Sequence, residues 1–273
     1  MSEVMFDVRD LVLDLPDMNA KSTFGATPKI RILNGLSFTV QRGEVFGIVG
    51  ESGSGKSTLA RCLVRLYKPT SGQILFDGND VASISDTEFL PLRQNIQMIF
   101  QDPMSSLNPR LTIGQIIAAP LKLHQGSRQS ATDIHLMVAE LMTAVQLDPA
   151  LAVRYPHQLS GGQRQRVGIA RALALNPTCI VADEIVSGLD VSTQAQILDL
   201  LQNIAIKRSL TILFISHDLS IIRRLCHHVM VMQSGLIVEQ GPTRQIFDKP
   251  RHEYTRTLLE AIPLPELDSK WLT

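Results

Sequence analysis

The stretch Gly50-Glu51-Ser52-Gly53-Ser54-Gly55-Lys56-Ser57, followed by Thr58, constrains this chain more than any other. It has the pattern G-x-x-x-x-G-K-[ST], a phosphate-binding P-loop. Its glycines let the backbone wrap closely, so that successive N–H groups point inward and form a nest for an anion. Lys56 is suited to reach the β- and γ-phosphates of a nucleotide, and the Ser57 hydroxyl to take one Mg²⁺ position. The flanks agree. Val45 to Val49 reads as a buried strand, and Ser57 to Leu66 as a helix with Leu59, Leu63 and Leu66 on one side. A strand, a glycine-rich turn and a helix N-terminus are together what phosphate binding requires.

Composition narrows the class. Hydrophobic residues make up 44% of the chain and charged residues 19%, a balance that builds a globular core. Lys plus Arg equals Asp plus Glu, 26 each, so no global basic field exists to hold nucleic acid, and no nucleic-acid partner is expected. No apolar run approaches the roughly 18 residues of a membrane span. The opening residues carry acids and no basic region, which does not read as a signal peptide. Cys62, Cys179 and Cys226 lie far apart without zinc spacing and cannot all pair; they read as buried, reduced thiols of a cytoplasmic protein.

Along the chain, Phe6, Val8, Leu11, Leu13 and Leu15 give a broken strand alternation, and residues 16 to 31 read as a polar loop. Leu36, Phe38 and Val40 alternate as a further strand. Ile74 to Phe76 is a short strand, and Ile96 to Phe100 another that stops at Gln101-Asp102-Pro103. From about Thr112 to Ala174 the pattern turns helical. Thr112 with Gln115 and Ser130 with Asp133 resemble capping boxes, and Ile134, Met137, Val138, Leu141, Met142 and Val145 form a helical stripe. Strands and helices then alternate again: a strand over 179–182, a helix over 192–207, a strand over 210–215, a helix over 219–225, a hairpin across Ser234-Gly235, and two short helices near 243–247 and 252–261. Buried apolar strands separated by helices predict a mostly parallel sheet covered on both faces, an α/β fold.

Two further motifs carry chemistry. Cys179-Ile180-Val181-Ala182-Asp183-Glu184 is an apolar strand ending in two acids at the sheet edge where ligands bind in open α/β folds. Asp183 is placed to hold Mg²⁺, directly or through water, and Glu184 to polarise an attacking water. Leu159-Ser160-Gly161-Gly162-Gln163 opens a helix, and its free N–H groups and positive dipole end make a second anion-binding site in a chain with one P-loop.

With Leu-Ser-Gly-Gly-Gln just upstream of the Asp-Glu strand, the chain resembles an ABC-type ATPase, the nucleotide-binding subunit of ATP-binding cassette transporters. The resemblance covers nearly the whole chain. It implies a RecA-like, mostly parallel core over about 1–101 and 176–250, with an antiparallel N-terminal β part. It also implies an inserted helical subdomain over about 102–175 and a short helical tail over 251–273. Gln101 matches the Q-loop glutamine, which in the family senses Mg²⁺ and the γ-phosphate and contacts the membrane partner. Ser187-Gly188-Leu189-Asp190 resembles the D-loop, and His217 matches the switch histidine that contacts the γ-phosphate. A hydrolase triad of Ser216, His217 and Asp218 fails, since sequence neighbours cannot act as nucleophile, base and orienter. His227 and His228 read as surface. The resemblance implies ATP and Mg²⁺ as ligands, with Mg²⁺ at Ser57, Gln101 and Asp183, Glu184 as general base, and Gln101 and His217 orienting the γ-phosphate and water. Two such domains pack head to tail in the family, so Ser160 to Gln163 would face the ATP on the P-loop of a partner.

This chain departs from the family pattern in three places. Ile185 stands where proline usually follows the Asp-Glu pair. Gly188 replaces the D-loop alanine, which is expected to loosen that turn. The usual place of the adenine-stacking aromatic holds Pro28, Lys29, Ile30 and Arg31, so Phe24, the nearest ring, is assigned that role.

Phe100 to Arg110, and the tail motif His252-Glu253-Tyr254-Thr255-Arg256, resemble the oligopeptide/dipeptide/nickel branch of bacterial importers. That resemblance implies a paralogous ATPase in a heterodimer, two transmembrane permease subunits, an extracytoplasmic substrate-binding protein, and a peripheral site on the cytoplasmic face of the inner membrane. The expected cargo is a peptide-like or nickel/metal-chelate substrate. Members with cysteine-bearing C-terminal extensions exist, but the three cysteines here lie outside that region, and no iron–sulfur cluster is expected. The alternatives are a soluble ABC ATPase acting on nucleic acid or ribosomes, and a degenerate, non-hydrolytic partner subunit.

Overall fold

The computed structural model describes residues 4–17, 28–125 and 130–261; Phe24 lies outside them. Two long strands, β1 (Val4–Pro16) and β2 (Lys29–Gln41), pair antiparallel. The broken alternation of β1 has a local cause. Phe6 and Val8 are buried, then Leu11 and Leu13, and the phase slips at Asp10, which adopts φ +47 where the register with β2 shifts. This is a bulge, one extra residue on one strand. The polar stretch read as a loop to residue 31 is shorter than expected, because β2 begins at Lys29 opposite Pro16 and Arg31 pairs with Asp14 at 2.9 Å.

Strand β3 (Val45–Val49) runs through the P-loop into helix α1 (Lys56–Leu63). That helix stops short of Leu66, with Arg65 in the left-handed region at φ +55. Strand β4 (Ser71–Phe76) pairs with the free edge of β1, and β5 (Asn79–Asp80) completes a four-stranded antiparallel sheet ordered β2-β1-β4-β5. Helix α2 (Asp86–Leu92) was not expected. It has a full capping box between Ser85 and Glu88, but only seven residues with Pro91 among them, too short for a helical period to show. Its Phe89 is fully buried.

Strand β6 (Ile96–Ile99) leads to α3 (Pro103–Ser106), α4 (Ile113–Gln125), α5 (Ala131–Ala144) and α6 (Gly161–Leu173). Both expected capping boxes form: Thr112 with Gln115, and Ser130 with Asp133. Of the α5 stripe, Val138, Leu141, Met142 and Val145 are buried. The chain returns through β7 (Cys179–Asp183), α7 (Val191–Arg208), β8 (Thr211–Ile215), α8 (Leu219–Leu225) and the hairpin β9 (His228–Gln233) and β10 (Leu236–Pro242). Helices α9 (Thr243–Asp248) and α10 (Glu253–Glu260) follow.

The second sheet has the order β10-β9-β3-β8-β7-β6 and is parallel except for β10 against β9. Every residue of β7 and β8 is buried, as a sheet covered on both faces requires. Alternate residues serve the two sides. Ile180, Ala182, Ile212 and Phe214 pack with the helices α4 to α8, whereas Cys179, Val181, Leu213 and Ile215 pack with α1, α2 and the antiparallel sheet. All three cysteines are free and buried.

Candidate active site

Parallel pairing brings four motifs to one sheet edge. In register, Ile99 lies opposite Ala182, Asp183 opposite Ile215, and Ile48 opposite Ile215. The residues just beyond those strand ends are Gln101, Glu184, His217 and Gly50, which are scattered over the sequence and adjacent in space.

The P-loop leaves β3 at Gly50, where φ is +147 and an added Cβ would stand 2.2 Å from the Met232 carbonyl oxygen. No side chain fits there, and L residues avoid that conformation. The hairpin and β2 brace the loop. Gly235 N–H donates to the Ser54 carbonyl at 3.0 Å, and Asn34 N–H to the Gly235 carbonyl at 2.9 Å. Lys56 is buried inside the loop and donates to the carbonyls of Gly50 and Glu51, both at 2.7 Å. Burial lowers its pKa, against the pull of Glu184, Asp183 and Glu51.

The two acids after β7 serve different partners. Asp183 is 3% exposed and accepts a hydrogen bond from the Ser57 hydroxyl at 2.9 Å. Burial pushes its carboxyl above the ordinary range, partly opposed by that hydrogen bond. Glu184 leaves the strand with φ +47, a conformation that costs a non-glycine residue roughly 1–2 kcal/mol. Its N–H donates to the Ile215 carbonyl at 3.0 Å. Its Oε2 accepts from Gln101 Nε2 at 2.9 Å and lies 3.3 Å from His217 Nδ1. Strain of this kind persists where surrounding contacts over-determine it, as at functional sites. A Ser57 hydroxyl against a buried Asp183 carboxylate is a pair of oxygen donors that suits a hard divalent cation.

The start of α6 lies elsewhere. Ser160 caps the helix: its Oγ accepts from Gln163 N–H, and Gln163 Oε1 accepts from Ser160 N–H at 2.9 Å. The box occupies those two amides and leaves the first-turn N–H groups of Gly161 and Gly162 without intrahelical acceptors. This end borders a cleft with Gln101, Asp102 and the Ser187–Leu189 turn. Among the described residues no hydrogen bond joins Ser160 to Gln163 with Lys56, Ser57, Asp183, Glu184 or His217. Both glycines have a packing reason. A Cβ on Gly162 would stand 2.5 Å from Thr193 Cγ2, and one on Gly161 3.2 Å from Leu189 Cδ2.

Two sequence expectations change here. The Gly188 turn is tied rather than loose: Ser187 Oγ donates to the Glu184 carbonyl, and Gln194 Nε2 to the carbonyls of Val186 and Leu189. Gly188 itself has φ +74. Ile185, in place of proline, is a buried core residue. His228 is more than surface, since its Nδ1 pairs with the buried Glu44; His227 is exposed, with its Nδ1 accepting from Val45 N–H at 3.1 Å. The adenine-stacking assignment to Phe24 falls outside the described residues, and Lys29 to Arg31 are strand. One contact escaped the sequence reading. The Tyr254 hydroxyl accepts the Glu51 N–H of the P-loop at 3.1 Å, although the tail motif carried no sign of reaching the nucleotide loop.

Comparison with known proteins is consistent with this geometry. Residues 33–187 match the ABC transporter family, and residues 238–273 match the oligopeptide/dipeptide transporter C-terminal region. The chain is 49% identical over 236 residues to the oligopeptide transport ATP-binding protein AppF of Bacillus subtilis, covering 86% of this chain and 71% of that protein. It is 47% identical over 270 residues to a protein of Sinorhizobium fredii named a probable peptide ABC transporter ATP-binding protein, covering 97% of this chain and 74% of that one. Among solved structures, an ATP-binding cassette dimer in a post-hydrolysis state with ADP and Pi is similar with a TM-score of 0.78 at 29% identity, over 88% of this chain and 99% of that one.

Proposed function

The chain belongs to the ABC transporter family and is an ATP-hydrolysing transporter subunit, and from that premise we propose that it powers the import of peptide-like substrates, with nickel or metal chelates as the second cargo class. The names of its relatives and the match of its C-terminal region support the peptide reading. Among the described residues no helix is long and apolar enough to cross a membrane. Such a subunit is membrane-associated through permease partners. The finer assembly is a heterodimer with a paralogous ATPase, two permeases and an extracytoplasmic binding protein, on the cytoplasmic face of the inner membrane. Residues 1–101 and 176–250 act as the core, 102–175 as the helical part and 251–273 as the tail. The surface from Gln101 to Arg110, with those helices, receives the permease.

The observation that carries the catalytic reading is the Glu184 carboxylate held by Gln101 and His217 beside the Ser57–Asp183 pair. ATP lies with its phosphates on the nest of Gly50 to Thr58, and Lys56, steadied by the carbonyls of Gly50 and Glu51, reaches the β- and γ-phosphate oxygens. Ser57, Asp183 and Gln101 would hold Mg²⁺, which neutralises charge on the β- and γ-phosphate oxygens. Glu184 accepts a proton from the attacking water. His217 and Gln101 orient that water and the γ-phosphate. Ser160 to Gln163 faces the ATP of the partner subunit. Phe24 remains the candidate ring for adenine.

Glu184→Gln keeps the hydrogen-bonding shape and removes the base. In the purified transporter it should cut ATP hydrolysis at least tenfold while ATP binding persists, a conservative floor for the roughly 10²–10⁴-fold contribution of a general base. Hydrolysis at the wild-type rate, with the paralogous site inactivated in parallel, would sink the assignment.

A further inference from the structure

The Gly50–Glu51 peptide is held from both ends. Its carbonyl accepts from Lys56 Nζ at 2.7 Å, and its N–H donates to the Tyr254 hydroxyl at 3.1 Å. Because a peptide is planar, fixing the N–H fixes the direction of the carbonyl on the same unit. The rotation of this peptide therefore sets where Lys56 rests in the loop, and Tyr254 is one of its two clamps.

Tyr254 is itself held in place from β10. The two carboxylate oxygens of Glu239 accept the N–H groups of Arg251 and His252, at 2.9 and 3.1 Å. His252 then caps α10 by accepting from Tyr254 N–H at 3.2 Å. Next along the helix Thr255 is 1% exposed, and Leu258 and Leu259 pack on the main core beside Tyr254. The ring is thus anchored by its helix, and its hydroxyl is aimed at the P-loop.

We infer that Tyr254 is a positioning residue for nucleotide binding and that α10 is a strap coupling the C-terminal segment to the P-loop. The inference rests on the reading of Gly50 to Ser57 as the ATP site. Moving α10 away from β10 withdraws the hydroxyl, frees the Gly50–Glu51 peptide to rotate, and weakens the hold on ATP. Occupancy of the nucleotide site and the position of the tail are linked in both directions, as any coupling free energy requires.

The test compares the full-length chain with Tyr254→Phe, which removes one oxygen and keeps the packing. ATP affinity, read by calorimetry, should weaken by roughly 2- to 10-fold, the effect of one net hydrogen bond. Hydrogen exchange at the Glu51 amide should accelerate while the core amides keep their protection. In the assembled transporter the KM for ATP should rise by a similar factor with kcat within about twofold, the signature of lost ground-state binding. Glu239→Ala frees the start of α10 and should weaken ATP binding too. The double variant should be no worse than the stronger single, since both act through one contact. If Tyr254→Phe binds ATP as tightly as a wild-type chain that does bind it, the strap inference falls alone. If affinity, melting temperature and core protection all fall together, Tyr254 is a packing residue and the inference also falls. A wild-type chain that binds no ATP overturns the P-loop reading beneath it.

Discussion

Gly162 offers the sharpest separation of a packing role from a ligand role at the start of α6. Its backbone is not in the left-handed region, so alanine can adopt it; the obstacle is steric. The new Cβ would stand 2.5 Å from Thr193 Cγ2, about an ångström inside ordinary contact. Thr193 cannot rotate freely out of the way. Its Oγ1 donates to Asp190 Oδ2 at 2.7 Å and its N–H to Asp190 Oδ1 at 2.9 Å, and a β-branched side chain has few alternative rotamers. Overpacking of this kind costs about 1–3 kcal/mol. Replacing a helical glycine by alanine returns at most about 1 kcal/mol. A full ångström of overlap against a tethered side chain belongs to the upper part of that range, so the balance is destabilising by about 1–2 kcal/mol, which lowers the melting temperature of a chain this size by about 2–8 °C. Thr193→Ser deletes Cγ2 and keeps the hydroxyl for Asp190. The double variant Gly162→Ala/Thr193→Ser should therefore regain at least half of the loss in a thermal melt. A Gly162→Ala chain that melts within a degree of wild type, or a double variant that recovers nothing, would refute the steric argument. If the double variant folds well yet hydrolyses ATP poorly in the assembled transporter, the glycine has a second duty in leaving its N–H open to a ligand.

Other expectations follow from the same structure. Gly188→Ala meets no atom within 4 Å but must hold φ +74. It should destabilise by about 1–2 kcal/mol in urea unfolding, and no change would show that the turn relaxes. Cys62, Cys179 and Cys226 are buried, with the Cys62 thiol pushed up to about 12 by burial and the other two raised further. At pH 8 the native chain should resist alkylation, with mass-spectrometric labelling appearing only in denaturant; a cysteine that labels at a free-thiol rate would contradict the packing. Asp190 accepts from Ser192 and Thr193, which holds its carboxyl well below the usual range. A depressed pKa adds stability above the unfolded value and loses it as pH falls through the folded one. Asp190→Ala should thus melt lower than wild type at pH 7, with the gap closing below about pH 4. A gap that stays constant down to pH 3 would remove the charge from the explanation.

Much of the architecture was legible because it is written in short range. The P-loop, the apolar runs of β7 and β8 and the helical stripe of α5 each announce themselves within a few residues, since period and turn chemistry are local properties. The exceptions are also local in cause. Helix α2 escaped because seven residues with Pro91 show no period, and the bulge at Asp10 disguised one long strand as a broken one.

The sequence by itself determined which candidate groups for the proposed chemistry the chain carries: Lys56, Ser57, Asp183, Glu184, Gln101 and His217, and the glycines of the P-loop. Only the tertiary structure decided their company. Parallel register placed Gln101 and His217 on Glu184 rather than on Asp183, from positions 83 and 33 residues away. Packing against Thr193 explained Gly162, and an ordinary-looking tail tyrosine reached the P-loop from 203 residues downstream. Such contacts leave no trace in a local pattern, because a hydrogen bond records the distance between atoms and nothing of the length of chain between them.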